Sequence, residues 1–371
     1  MRPIRMISAA AAVAIPLGAA VCGTVAVPSA QAQTVAMSQA RVTSDATASL
    51  RHKPDPKPVV GVNLYVDQNY TLDQVELWGT RDLSYIANTL KLKAVAIDWD
   101  YNVPAKDANV VRSSPTRTPS IADLTELTEI ARFYGLRVEY RALFAIGNKD
   151  SRSGSIQPKS LSAWLAWLLK TETPALRLAQ EQNVREFVVG TEMASIDQSP
   201  LWGGFFVKAA KIYGGILSYA SYGGTGTGGS GGFFSKSRVT LPTTYLGASA
   251  YPSIELPGSA TVASLTRAWE RFLTRHTPAS VLSRTSIDEM GIPAVGGAYF
   301  DPWEWDGLTG PANATVQANW FKAACAAVNA EHMRGLYFWS MVLNDDPANP
   351  YRSLVGFEGR PASLAAIRSC A

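Results

Sequence analysis

Residues 186–193 have the sequence EFVVGTEM and contain the clearest indication of the fold. An apolar run that ends at Gly190 is typical of a strand buried in a parallel sheet, and Glu192 follows directly after it. In parallel barrels the carboxyl ends of the strands form the face on which sites are built. The stretch therefore predicts a buried parallel strand with a functional carboxylate at its end.

Similar strand patterns recur along the chain and alternate with helical stretches. With the quoted strand, Glu186 to Gly190, the candidates are Val59 to Leu64, Ala94 to Asp98, Arg137 to Leu143, Gly215 to Tyr219, Tyr245 to Ala250, Thr285 to Glu289 and Gly335 to Trp339. Helical patterns occupy Ser120 to Tyr134, Leu161 to Gln182, Leu201 to Tyr213, Val262 to His276 and Ala314 to Ala330. This order predicts an α/β fold, the (β/α)8 or TIM barrel, because eight parallel strands close such a barrel. An open doubly wound sheet is the alternative.

The N-terminal region differs from the rest of the chain. Arg2 and Arg5 precede an Ala- and Val-rich run that ends in Ala30-Gln31-Ala32, the pattern of a secretory signal peptide over residues 1–32. An uncleaved membrane anchor is the alternative. Residues 33–57 are rich in Ser, Thr, Ala and charge, which predicts a disordered linker. The single catalytic domain is expected over residues 58–371. The protein is expected to be secreted and extracellular, with a linker of a composition that could span a cell wall.

Composition narrows the classes of partner. The net charge of +4 is small for 371 residues, so no nucleic-acid partner is predicted. No stretch after residue 32 is apolar for long enough to span a bilayer, so no stable membrane insertion is expected. His52, His276 and His332 are scattered and no Cys-x-x-Cys occurs, which predicts no metal and no cofactor. An uncharged polysaccharide or oligosaccharide is the expected partner of a monomer.

Two cysteines remain after the predicted signal peptide, Cys325 and Cys370. An exported chain meets oxidising conditions in which such a pair can form a disulfide. The helices before and after the eighth strand would carry them, as neighbours on the outer ring of the barrel. We predict the disulfide; two buried free thiols are the alternative.

A second segment repeats the arrangement of the first. Residues 285–291, TSIDEMG, place Glu289 at the end of the seventh predicted strand, as Glu192 ends the fourth. Hydrolysis of a glycosidic bond requires one protonated acid and one carboxylate that attacks or activates water, so this pair is the chemical minimum. For each Glu alone, a surface or strand-end ion pair is the alternative. By strand alternation Asp288 should face the helix layer, outside the site.

The same motifs carry a resemblance to a known family. Val189-Gly190-Thr191-Glu192 and Asp288-Glu289-Met290-Gly291 resemble the acid/base and nucleophile motifs of clan A glycoside hydrolases, most of all family 113, whose known members are β-mannanases. The resemblance extends over residues 58–371. It implies a retaining endo-β-mannanase-like enzyme with Glu192 as the acid/base and Glu289 as the nucleophile.

Further segments match the family in the right order. Gly247-Ala248-Ser249-Ala250-Tyr251 resembles the segment whose Tyr hydrogen-bonds the nucleophile, and Gly335-Leu336-Tyr337-Phe338-Trp339 resembles the one whose Trp forms the floor of a sugar subsite. Two segments depart from the family. Arg141-Ala142-Leu143 replaces a Lys-Pro-His-like strand end, and Ser221-Tyr222 stands where relatives tend to carry Asn-Trp. Both positions lie where substrate is usually contacted.

Aromatic and charged residues near strand ends complete the candidate site. Sugar rings stack on aromatic faces, so aromatic rings beside the strand ends are expected to line a saccharide cleft. The substrate-binding candidates are Trp99, Trp202, Trp303, Trp305, Trp339, Tyr222, Tyr251, Asp98 and Arg141. For the aromatic rings the alternative is packing under a loop. For Asp98 it is hydrogen bonds to the backbone N–H groups of its own loop, and for Arg141 an ion pair with Glu139. For the whole chain, a catalytically silent barrel that binds polysaccharide is the second hypothesis.

Overall fold

The computed structural model describes residues 57–147, 153–223, 245–275, 277–304, 311–348 and 354–371. The predicted signal peptide, all of the predicted linker except Lys57, and Trp305 lie outside these ranges. Among the described residues, none of the helices is long and apolar enough to cross a membrane.

One sheet contains all the strands of the described chain. The strands are β1 (Val59–Val66), β2 (Ala94–Val103), β3 (Arg112–Ser113), β4 (Arg137–Ile146), β5 (Glu186–Thr191), β6 (Ile216–Tyr222), β7 (Leu246–Ser249), β8 (Thr285–Met290) and β9 (Gly335–Val342). Their order is β1-β9-β8-β7-β6-β5-β4-β2-β3, and β1 also pairs with β2. Because β1 is bonded in parallel on both sides, eight strands close into a barrel and β3 is an antiparallel addition to β2. The predicted (β/α)8 barrel is confirmed, and the open sheet is wrong.

Helices surround the barrel. They are α1 (Leu72–Ser84), α2 (Ile121–Phe133), α3 (Leu161–Glu181), α4 (Trp202–Ala209), α5 (Val262–Thr274), α6 (Ala279–Leu282), α7 (Ala314–Ala330) and α8 (Pro361–Cys370). Thr71 and Ser120 begin α1 and α2 with capping boxes, in which the cap side chain and the third helical residue bond each other's backbone N–H. Helices α1 and α6 have no counterpart among the predicted helical stretches, and α8 is the helix that was expected to carry Cys370.

The predicted disulfide joins the last two long helices. Cys325 in α7 and Cys370 at the end of α8 are bonded, with their Cα atoms 5.5 Å apart. The two helices flank β9 in sequence and pack against each other. The disulfide therefore fixes the C-terminal helix to the outer ring.

The lower part of the barrel interior is charged. Arg334 forms an ion pair of 2.6 Å with Glu186, and its guanidinium carbon lies 4.1 Å from the ring centroid of Tyr245. Glu139 is buried nearby, and burial together with the charge of Glu186 raises its pKa well above the usual range. TIM barrels are usually filled by branched apolar side chains. Here a column of ionisable groups rises from the bottom of the barrel to the candidate site.

Candidate active site

Glu192 follows the carboxyl end of β5 and turns the chain out of the strand. Its φ of 57° lies in the left-handed region, which is uncommon for a residue with a side chain. Its N–H donates a 2.8 Å hydrogen bond to the carbonyl of Ala220 in β6, so the conformation is fixed beside the barrel wall. Backbone strain of this kind concentrates at functional sites.

The environment of Glu192 suits a general acid. Burial of the carboxyl raises its pKa to about 7, and the nearby negative charge of Glu289 acts in the same direction. The nearby hydroxyl of Ser249 and the positive charge of Arg141 lower the pKa and offset these effects only in part. Glu192 therefore holds a proton in slightly acidic solution, as a proton donor to a leaving oxygen must.

Glu289 lies at the carboxyl end of β8 with both oxygens held. The hydroxyl of Tyr251 donates a 2.6 Å hydrogen bond to Oε1, and a guanidinium nitrogen of Arg141 donates another of 2.6 Å to Oε2. The hydrogen bond expected between Tyr251 and the nucleophile candidate is thus present. One cationic and one neutral donor orient the carboxylate and stabilise its charge.

Asp288 faces the barrel interior, so the prediction that it faces the helix layer is wrong. Its carboxyl accepts a hydrogen bond from Ser286, two residues earlier on the same strand, and it would overlap a side chain added at Gly247 of β7. The pairing of β8 with β7 slips at this point, where Ala248 faces Ile287 but the next pair is Ser249 with Glu289. A bulge breaks the regular alternation of side chains, which is why the alternation rule fails here.

Arg141 and Asp98 lie beneath Glu289 and not at the surface of the cleft. Both side chains are fully buried and 3.5 Å apart. Burial raises the pKa of Asp98 well above the usual range even though Arg141 opposes this shift. Both were predicted to bind substrate; the structure instead places Arg141 on the nucleophile candidate and Asp98 behind Arg141.

Trp99 and Trp202 are in the hydrophobic core, which corrects their prediction as sugar platforms. Trp99 faces outward from β2, because Asp98 faces inward and side chains alternate along a strand. Its ring meets those of Tyr101, Tyr140 and Phe187 edge to face. Both tryptophans are 0% exposed, so neither presents a ring face to a ligand.

Three other predicted aromatic residues retain exposed surface. Trp339 lies in the carboxyl-terminal half of β9 and is half-buried, with the guanidinium carbon of Arg141 5.3 Å from its ring centroid, so it lies beside the carboxylate that Arg141 holds. Tyr222 ends β6 and Trp303 lies in the segment after β8; both are half-buried. The structure thus brings together Glu192, Glu289, Tyr251, Arg141 and Trp339.

Sequence reasoning missed several polar residues at the same end of the barrel. Tyr65 at the end of β1 donates a 2.6 Å hydrogen bond to Asp100, and its ring centroid lies 5.8 Å from that of Trp339. Ser249 contacts Glu192, and Asn63 bonds the backbone beside Glu289. A polar residue within a buried strand, such as Asn63 in the apolar run of β1, was the available indication.

The chemistry of the site is that of two carboxyl groups in different environments. One has a raised pKa and the other is held by two donors, which is the division of work that glycosidic hydrolysis requires. Among the described residues, no cluster of three or more His, Cys, Asp or Glu side chains has the geometry of a metal site. The arrangement can protonate a leaving oxygen and supply a carboxylate that attacks a carbon or activates water.

The fold resembles those of several solved structures. A solved structure described as a complex of a family 113 β-1,4-mannanase shares 16% identity and a TM-score of 0.70, covering 85% of this chain and 98% of that chain. The family 113 β-mannanase from Alicyclobacillus acidocaldarius, in complex with ManMIm, has 18% identity and a TM-score of 0.67, with coverage of 85% and 98%. A family 5 subfamily 18 protein from Streptomyces cattleya, in complex with GlcNAc, has 16% identity and a TM-score of 0.54, with coverage of 85% and 79%.

At these identities the structural likeness shows the fold. A comparison with curated proteins finds no match. The family model described as Glycoside Hydrolase Family 113 matches residues 79–349, which include both glutamates and most of the barrel. The chain is therefore a glycoside hydrolase, and it belongs to family 113.

Proposed function

We propose that this enzyme is a retaining β-glycosidase that hydrolyses a β-mannan by double displacement. The observation that carries the mechanism is the asymmetry of the two glutamates, with a proton held on Glu192 and both oxygens of Glu289 held by donors. The substrate class is supported by the family and by neighbouring structures described as β-mannanases.

In the first step a carboxylate oxygen of Glu289 attacks the anomeric carbon. The bond from that carbon to the leaving oxygen breaks, its electron pair goes to the oxygen, and Glu192 supplies the proton. In the second step water attacks the anomeric carbon, Glu192 takes a proton from the water, and the bond to Glu289 breaks. Two inversions leave the configuration unchanged.

Coupling between the glutamates explains how Glu192 performs both proton transfers. The charge of Glu289 is the second largest cause of the raised pKa of Glu192. Once Glu289 is an ester its charge is gone, and the pKa of Glu192 falls. The same side chain is then an acid before the first step and a base before the second.

Azide rescue tests the two assignments. With an activated aryl β-mannoside, Glu192→Ala should still form the covalent intermediate, because a good leaving group needs little protonation, and azide should release a β-azide. Azide should rescue Glu289→Ala only to an α-azide. A β-azide from Glu289→Ala would mean that the roles are exchanged.

A panel of polymers tests the substrate class. We expect release of reducing sugar from β-mannan or glucomannan to exceed that from xylan, β-1,3-glucan and β-1,4-glucan. Clear activity on another polymer with none on mannans would refute the specificity and leave the fold intact. Binding without hydrolysis of any polymer would support the silent barrel.

The N-terminal sequence supports a proposal about location. We propose that residues 1–32 direct export, that the mature chain begins at Gln33, and that it is a monomer outside the cell. Mass spectrometry of culture-medium protein gives the N-terminus, and light scattering gives the assembly state. Enzyme retained in the cell with Met1 present would contradict the export proposal.

A further inference from the structure

The strand that carries Glu289 is irregular on both of its edges at the same position. Against β7, the pair Ala248–Ile287 is followed by Ser249–Glu289. Against β9, the pair of Ile287 with Leu336 is followed by Met290 with Phe338. Asp288 is therefore skipped by the ladders on both sides.

A buried carbonyl that leaves the ladder needs other donors, because an unpaired carbonyl in the core is costly. The carbonyl of Asp288 receives two from across the barrel. Arg141 donates one through Nη1, and the amide nitrogen of Asn63 donates the other at 3.1 Å. Two side chains thus take the place of the missing strand partners next to Glu289.

Asn63 occupies an irregularity of its own. The pairing of β1 with β9 slips between Val62 and Leu64, so Asn63 is skipped in that ladder, although on the other edge of β1 it pairs regularly with Ala96 of β2. Its side chain is fully buried, and β9 separates β1 from β8 in the sheet. The amide of Asn63 therefore links two interrupted strand segments on either side of β9.

We infer that Asn63 is a positioning residue for the nucleophile: by holding the carbonyl of Asp288 it fixes the bulge from which Glu289 reaches the anomeric carbon. The inference rests on the proposed function, since it assigns Asn63 to the step in which Glu289 attacks. Arg141 contacts Glu289 directly, whereas Asn63 acts only through the backbone. Displacement of a reacting group by about 1 Å can cost about a hundredfold in rate.

The test compares Asn63→Ala with Asn319→Ala. The amide of Asn319 also donates to a backbone carbonyl, that of Ala260, at 3.2 Å, but it belongs to α7 in the outer ring. Each variant loses an amide–carbonyl hydrogen bond, and Asn63→Ala should lose the more stability because Asn63 is fully buried whereas Asn319 is half-buried. With an aryl β-mannoside we expect kcat of Asn63→Ala to fall roughly 10–100-fold with KM within about twofold. Asn319→Ala should retain the wild-type kcat.

Two measurements separate positioning from general damage. The rate of covalent trapping by a 2-deoxy-2-fluoro-β-mannosyl fluoride reports the attack of Glu289 and should fall with kcat. Asn63→Gln keeps an amide donor and should recover part of the rate, whereas Asn63→Leu, similar in size but without a donor, should not. Unfolding midpoints well above the assay temperature confirm that each variant is folded.

Different results would refute the inference about Asn63 and the proposed function. If the wild-type enzyme cleaves the mannoside and Asn63→Leu matches its kcat and trapping rate, the inference is wrong. Equal slowing of Asn63→Leu and Asn319→Ala would also overturn it, because the effect would then be structural. If the wild-type enzyme neither cleaves the mannoside nor is trapped, it is the proposed function that fails.

Discussion

At the scale of single residues, the pKa of Glu192 depends on neighbours with opposing effects. Burial and Glu289 favour the protonated carboxyl, while Ser249 and Arg141 favour the carboxylate. The acid form is the reactive one in the first step, so kcat/KM should decline as pH rises through about 7, the pKa of Glu192. Removing a group that raises or lowers this pKa should therefore move the alkaline limb of the pH–rate profile.

Ser249→Ala provides the first prediction. Ser249 lowers the pKa of Glu192, so loss of its hydroxyl should raise that pKa, and the alkaline limb of kcat/KM should move to higher pH. A hydroxyl–carboxylate interaction worth about 1 kcal/mol corresponds to roughly 0.7 pH unit. A pH–rate profile on a substrate with a poor leaving group checks this, and a limb that stays in place or moves to lower pH would contradict it.

Arg141 provides the second prediction, because it is the cation that holds Glu289. Arg141→Met should lower kcat/KM by roughly 10²–10³-fold, since hydrogen bonds to charged groups contribute about 1.5–3 kcal/mol and the buried carboxylates lose their counterion. Steady-state kinetics on an aryl β-mannoside measure the loss.

Arg334→Met is the matched control. Arg334 is also largely buried in the barrel and paired at 2.6 Å with a glutamate, Glu186, but it lies at the opposite end of the barrel. Both variants should lose stability, and only Arg141→Met should lose most of its kcat/KM. A fall in kcat/KM of similar size in Arg334→Met would show that the loss comes from general damage to the barrel and not from the contact between Arg141 and Glu289.

At the scale of secondary-structure elements, the close approach of β7 to β8 depends on a glycine. A Cβ atom added to Gly247 would overlap the carboxyl of Asp288 in the bulge. Gly247→Ala should therefore destabilise the protein by about 1–3 kcal/mol and lower kcat, because β8 must shift. Urea unfolding and kinetics measure the two effects.

Gly204→Ala is the contrasting variant. Gly204 lies in α4 with no atom within 4 Å of an added Cβ. Alanine is the better helix former by about 1 kcal/mol, so this variant should gain stability and keep its activity. If both glycine variants changed stability in the same direction, contact with Asp288 would not be the cause.

The elements also show what the sequence could and could not predict. Strand and helix patterns located all eight barrel strands, because buried parallel strands are short, apolar and bounded by turns. The helix α1 was missed because few of its residues are buried, among them Val75 and Leu83, so its apolar periodicity is weak. The bulge in β8 could not be predicted, since it is held by side chains from β1 and β4 that are distant in sequence.

Orientation within a strand was partly predictable. Asp98 and Trp99 are consecutive, so alternation allows only one of them to face the barrel interior, and both were nevertheless predicted to bind substrate. The core position of Trp99 follows from that rule once Asp98 is placed. Trp202 is different, because its burial depends on how α4 packs against the barrel.

At the scale of the whole molecule, one buried acid makes stability depend on pH. Glu172 in α3 is 0% exposed, and burial raises its pKa well above the usual range. In the unfolded chain it titrates at about 4.3. The folded state therefore binds the proton more tightly, and the stability present below about pH 4 declines as pH rises through the raised pKa.

Glu172→Gln is the fourth prediction. Because Gln cannot ionise, the variant should match the wild type below about pH 4 and become the more stable of the two as pH rises, by up to about 1–3 kcal/mol. Urea unfolding from pH 4 to 9 measures the difference. Glu181→Gln, at the exposed C-terminal end of the same helix, should show no such trend. A constant difference at every pH would contradict the explanation.

The fifth prediction concerns the stability that the disulfide contributes. Cys325→Ser with Cys370→Ser should lower the free energy of unfolding by about 2–4 kcal/mol, because the bridge closes a long loop in the unfolded chain. Kinetic constants should not change, as both helices pack outside the barrel. Each single variant should equal the double one; a smaller loss in the single variants would mean that the thiols contribute apart from the bond.

The pairing of β1 with β9 joins residues near 59 to residues near 335, almost the full length of the folded chain. Such distant pairing gives a high contact order, which slows folding. As the chain leaves the ribosome, β1 must wait for β9, and until then its free edge and that of β8 can pair with other chains. A chain that stops before residue 335 keeps both edges open. We therefore expect premature termination to yield aggregates and not a smaller enzyme.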